Sequence, residues 1–104
     1  MSNEQYLSPQ VQRTLKAIEL MAGHEVYGIE PKKLAKLVGC SGSDLTRVLA
    51  NLEHQGWAEK LTTNTQRWRL NKKPVHICNT VSHNFTSAIR DLQLEQTKYN
   101  GVTS

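Results

Sequence analysis

No apolar run in this chain of 104 residues approaches the roughly 20 residues that a bilayer-spanning helix needs. A membrane span is therefore not expected. Cysteine is equally scarce, since Cys40 and Cys78 alone cannot build a disulfide framework. With no pattern of a signal or transit peptide near Met1, the thiols are expected to stay reduced in the cytoplasm. Metal ligands are thin as well: His76-x-Cys78 is half a ligand set, and no CxxC or HExxH accompanies it. Also missing are a glycine-rich phosphate loop, paired carboxylates in an apolar setting, and a nucleophile beside an obvious base. Neither an enzyme nor a metal or cofactor is expected.

What the chain has is charge in one place. Its net charge is only +4, yet the segment 31–73 holds nine basic residues against three acids, leaving the remainder at −2. A merely soluble protein mixes its signs, whereas a cluster of one sign marks a nucleic-acid face. Hydrophobic content of 38% suits one modest core with some partner-dependent sequence.

Along the chain, residues 1–8 lack an apolar period and read as a flexible arm. Ser8-Pro9 then starts a helix over about 9–22, because serine caps free amides and proline fits the first helical turn. Val11, Leu15, Ile18 and Ala22 mark its apolar face with Met21 beside them, and Arg13 and Lys16 are turned to solvent. A short strand is expected at Tyr27–Ile29. Glu30-Pro31 opens a second helix that buries Leu34, Ala35, Leu37 and Val38 and stops at Gly39. Ser41 caps a third helix over about 42–55, with Asp44 three residues on in a variant of the capping box. Its stripe is Leu45, Val48, Leu49 and Leu52.

Residues 57–61 and 66–70 alternate large apolar side chains around the polar turn 62–65, which spells a β-hairpin. The expected class is mainly α with a small hairpin, a winged helix-turn-helix over 9–71. A linker over 72–78, a last helix over 79–99 and a disordered tail over 100–104 complete it.

The runs Arg13–Met21, Leu34–Gly39 and Leu45–Leu52, followed by Gly56-Trp57 and Arg67-Trp-Arg-Leu70, resemble the N-terminal DNA-binding domain of the IclR family of transcriptional regulators. The likeness covers about residues 11–71. It implies a winged helix-turn-helix that binds DNA as a dimer or higher oligomer, with Ser41–Arg47 in the recognition helix and Thr62–Arg69 in the wing. The family's C-terminal effector domain has no counterpart in the roughly 33 residues after the wing, so no small-molecule effector is expected. In size the chain looks like the stand-alone regulators of phages or mobile elements.

For base readout the expected residues are Ser43, Thr46, Arg47 and Asn51, arginine to guanine being the commonest specific contact. Phosphate or wing contacts are expected from Lys32, Lys33, Ser41, Lys60, Thr63, Asn64, Arg67 and Arg69. A solvated helix face and an ordinary hairpin are the plainer alternatives. Asp44 is awkward, because its charge repels phosphate; it either caps its helix or accepts from a cytosine amino group. Trp57 and Trp68 read as core residues, although aromatic platforms also stack single-stranded bases. Val81, Phe85, Ile89 and Leu92 are expected to pair with a second subunit, the alternative being a helix folded back on its own first helix. The expected function is sequence-specific binding of double-stranded DNA in transcriptional regulation. An inhibitor or adaptor module, or an accessory of replication or recombination, would use the same fold.

Overall fold

In the computed structural model, which describes residues 4–101, the first three α-helices begin where a cap residue meets a proline or a free amide. After a single 3-10 turn at Glu4–Tyr6, the Ser8 Oγ accepts from the Val11 amide at 3.3 Å and opens α1, Pro9–Met21. Pro31 opens α2, Pro31–Val38, which ends at Gly39 in the left-handed region with φ +85°. Helix α3, Gly42–His54, starts from Ser41, whose Oγ accepts from the Asp44 amide at 3.1 Å. Removing that acceptor with Ser41→Ala should cost about 1 kcal/mol. The expected signature is a lower urea midpoint with an unchanged slope.

Strands β1, Ala58–Lys60, and β2, Trp68–Leu70, pair antiparallel with Glu59 opposite Arg69 and Lys60 opposite Trp68. The strand expected at Tyr27–Ile29 shrinks to one bridge. Ile29 N–H donates to Trp68 O at 2.8 Å, and Trp68 N–H returns to Ile29 O at 3.0 Å. Gly28, at φ +72°, breaks the extended run just before that bridge.

The three helices and the hairpin share one core. Leu45, Val48, Leu49 and Leu52 are all buried, as the helical period requires, and they meet Met21, Leu34 and Trp68. Trp57 is half-buried against the same cluster, so both tryptophans pack rather than stand out as platforms. The expected face of α1 is rotated. Met21 is buried and Ile18 packs on the core as expected, but Ala17 is buried too, while Val11 and Leu15 are half-exposed and Ala22 lies past the last turn. Two apolar rows run along this helix, and the core takes the one containing Ala17. On α2, Leu37 is likewise turned outward at 45% exposure, because Leu34, Ala35 and Val38 already fill the inward arc.

The chain divides into two units, the second beginning at Pro74. Most of that second unit is helix α4, Lys73–Tyr99, 27 residues long with no buried side chain. It starts six residues before the expected 79, so the supposed linker is largely its first turns. Proline is tolerated in an opening turn, where its missing N–H has no partner to lose. Pro74 acts as Pro9 and Pro31 do. Among the described residues no helix is long and apolar enough to cross a membrane. Residues 1–3 of the expected arm and 102–104 of the expected tail lie outside the described residues.

Candidate nucleic-acid interface

The outward face of α3 carries Ser43, Thr46, Arg47, Ala50 and Asn51, all exposed. Three of these polar side chains are already partly satisfied. Thr46 Oγ1 donates to Gly42 O at 2.9 Å, Asn51 Nδ2 donates to Arg47 O at 2.8 Å, and the Ser43 hydroxyl lies 3.2 Å from that of Ser41. Each keeps at least one further acceptor or donor for a base edge or phosphate. Arg47 is the extended one. Its side chain is 74% exposed, and among the described residues its only ion pair is a 3.9 Å approach to Asp44.

Asp44 loses its awkwardness here. Its carboxylate lies 3.6 Å from the Arg13 guanidinium and 3.9 Å from that of Arg47, in the first turn of α3, where the helix dipole favours an anion. The acid is shared between two arginines, one of which comes from α1. Arg13 was expected on the solvent side, but Arg13, Ala17 and Met21 follow at i, i+4 and i+8. That spacing puts the guanidinium at the end of the buried row, and it is the signal that identifies the residue.

Thr62 to Gln66 form the exposed tip of the wing, closed by Asn64 Oδ1, which accepts from the Gln66 amide at 3.1 Å. The two wing arginines turn back toward the protein. Arg67 donates to Tyr27 O and Gly28 O, both at 3.4 Å, and to Glu30 Oε1 at 3.1 Å. Arg69 meets Glu59 Oε2 across the hairpin at 2.8 Å and Glu25 O at 3.4 Å. Contact with phosphate would require both to exchange these partners. Lys32, Lys33 and Lys60 are exposed and enter no ion pair among the described residues.

Between the start of α2, the middle of α3 and the wing lies a groove of about 460 Å³. Its floor is Pro31, Leu49 and Trp68, and Lys32, Thr46, Lys60, Thr65 and Gln66 line the walls. Lys60 Nζ sits 5.6 Å from the Trp68 ring centroid, a cation–π distance that steadies the ammonium at the rim. Glu30 also borders the groove, and its pairing with Arg67 offsets the one carboxylate there.

Neither a family model nor a curated protein sequence matches the chain. Solved structures match its fold. Staphylococcus aureus MepR, as a point mutant bound to an oligodeoxyribonucleotide, is 18% identical over 85% of this chain and 72% of that one, with a TM-score of 0.52. A second MepR point mutant gives 18% identity, 93% and 77% coverage and a TM-score of 0.51. The transcriptional regulator PA4135 gives 18%, 98%, 83% and 0.50. With the hairpin and helix order above, this likeness establishes a winged helix-turn-helix followed by a C-terminal helix.

Proposed function

We propose that this winged helix binds double-stranded DNA at specific sequences and regulates transcription. The observation that carries the reading is the groove between α2, α3 and the wing, with Lys32 and Lys60, which enter no ion pair among the described residues, on its walls beside the exposed face of Ser43, Thr46 and Arg47. A groove with two cations and polar hydroxyls or amides suits a sugar-phosphate strand. The neighbouring helix face then lies against base edges in the major groove. That MepR occurs bound to an oligodeoxyribonucleotide, and that PA4135 is a transcriptional regulator, supports the same use of the fold.

In this reading Arg47, Ser43, Thr46 and Asn51 face bases. Lys32, Lys33, Ser41, Lys60, Thr63 and Asn64 face phosphates, and Arg67 and Arg69 reach the backbone only after leaving their acidic partners. The protein acts in the cytoplasm as a homodimer joined through α4, without cofactor, small-molecule effector or catalytic step. The finer kinship, to the IclR family, rests on the residue pattern over 11–71 alone.

Selection of bound sequences from a random duplex pool tests the proposal. Enrichment of a common motif is expected, and a pool that stays random would reduce the protein to a charged or protein-binding module. Lys60→Ala should weaken binding to every duplex alike. It should also make the slope of log affinity against log salt shallower by about 1, because one fewer counterion is released.

A further inference from the structure

Helix α4 carries apolar residues in a strict alternation of three and four. Cys78, Val81, Phe85, Ala88 and Leu92 lie on one seam, which Glu95 and Tyr99 continue at the same spacing. Such a repeat is the pattern of a helix that packs lengthwise on another helix. The seam is open: Val81, Phe85 and Leu92 are 51%, 66% and 65% exposed, and Ile89 on its flank is 55% exposed. Apart from Leu94, 58% exposed, the opposite face is polar, with Asn79, Thr80, His83, Thr86, Arg90 and Gln93. Its Thr80 and Thr86 hydroxyls donate back to His76 O and Ser82 O of their own helix. One side of α4 is therefore nearly complete in water, with a single exposed leucine, and the other carries a continuous apolar seam.

We infer that the seam of α4 pairs with α4 of a second copy in antiparallel orientation, Phe85 opposite the partner's Ala88 and Leu92 opposite the partner's Val81. The inference rests on the homodimer of the proposed function and fixes its geometry. Parallel pairing would stack like on like. Two Phe85 rings would then share one layer, two Ala88 methyls would leave a gap in the next, and two Glu95 carboxylates would face each other inside the seam. Antiparallel pairing in the stated register matches large with small in every central layer. It moves each Glu95 to an end, opposite the partner's Cys78, and sets Tyr99 against the partner's Pro74. On the flank it places Asn84 beside the partner's Asp91, an amide donor against a carboxylate. A one-heptad slip in either direction leaves fewer layers and sets Leu92 on the partner's Pro74 or Phe85 on the partner's Glu95.

Oxidative cross-linking of the full chain distinguishes the arrangements. In the antiparallel register the two Cys78 thiols lie about 25 Å apart along the seam, at 1.5 Å per residue, too far for a disulfide. Cys40→Ser should therefore give no covalent dimer, whereas Cys40→Ser with Glu95→Cys should convert most of the protein to one, through Cys78 of each chain. The same 25 Å separates positions 78 and 95 within one helix, so no internal bridge competes.

A covalent dimer from Cys40→Ser alone would establish parallel pairing and overturn the register, leaving the dimer intact. A dimer by sedimentation that links in neither variant would overturn the register too. A monomer at all concentrations would overturn the dimer itself. If Glu95→Cys disturbs the helix by circular dichroism, Val81→Cys and Leu92→Cys, with Cys40→Ser and Cys78→Ser, test the same register from its centre: the double variant should link and neither single variant should, whereas linking of either single variant would establish parallel pairing. DNA affinity is measured in parallel on a single half-site, where failure of the interface reading shows independently of pairing.

Discussion

Gly28→Ala is expected to lower the stability of the first unit by about 3 kcal/mol, with the thermal midpoint of tryptophan fluorescence falling by at least about 12 °C. Two causes combine. Gly28 holds φ +72°, a region that costs a side-chain-bearing residue roughly 1–2 kcal/mol. Its added Cβ would then meet Leu61 Cδ1 at 2.7 Å and Arg67 Cβ at 2.9 Å, and overpacking of this kind costs about 1–3 kcal/mol. A more restricted unfolded chain returns about 0.4–1 kcal/mol. Leu61 is buried, and the Arg67 backbone is pinned by Asn64 O and by the Leu61 amide, so neither neighbour yields freely. The control is Gly39→Ala, at φ +85° with nothing within 4 Å, where only the conformational cost applies and a loss of about 1 kcal/mol is expected. Equal losses at both positions would show that the close approach of Gly28 to the wing carries no energy. Trp57 and Trp68 both lie in this unit, so their emission follows it without the helical signal of α4.

What the chain reveals of itself depends on how local each cause is. The stripe of α3 and the caps at Ser8, Ser41 and Gly39 follow from residues within one or two turns of each other, and they stand where the sequence puts them. Pro74 misleads because proline reads as a break, yet the same residue type opens α1 and α2. The ion pair of Arg69 with Glu59 is legible once the hairpin register is drawn, since the two residues stand opposite each other. The pair of Arg67 with Glu30 is not, because 37 residues separate them and nothing local links them. That pair also corrects the charge count. Glu30 sits one residue outside the basic segment, so a linear window credits the wing with a cation that the fold has already matched. The interface is thereby shifted from the wing arginines toward Lys32, Lys60 and α3.

That shift leaves Arg47 as the exposed arginine of the proposed interface, and Arg47→Ala is expected to lower affinity for the selected site by roughly 10- to 100-fold, or about 1–3 kcal/mol. Its guanidinium is 74% exposed and only loosely tied to Asp44. Arg13, closer to the same carboxylate at 3.6 Å, keeps Asp44 neutralised when Arg47 swings outward. The movement to a base therefore strands no charge, and Arg13→Ala should weaken binding indirectly by returning Arg47 to Asp44. A guanidinium that reads a guanine must lose most on the cognate sequence and relax preference at one base position, with little change on random duplex. Competition binding with the selected site, its single-base variants and random DNA separates the cases. An equal loss on all duplexes would move Arg47 to the phosphate backbone and pass base recognition to Ser43, Thr46 and Asn51. Lys60→Ala, measured in the same competition, supplies the contrast of a uniform loss with a shallower salt slope.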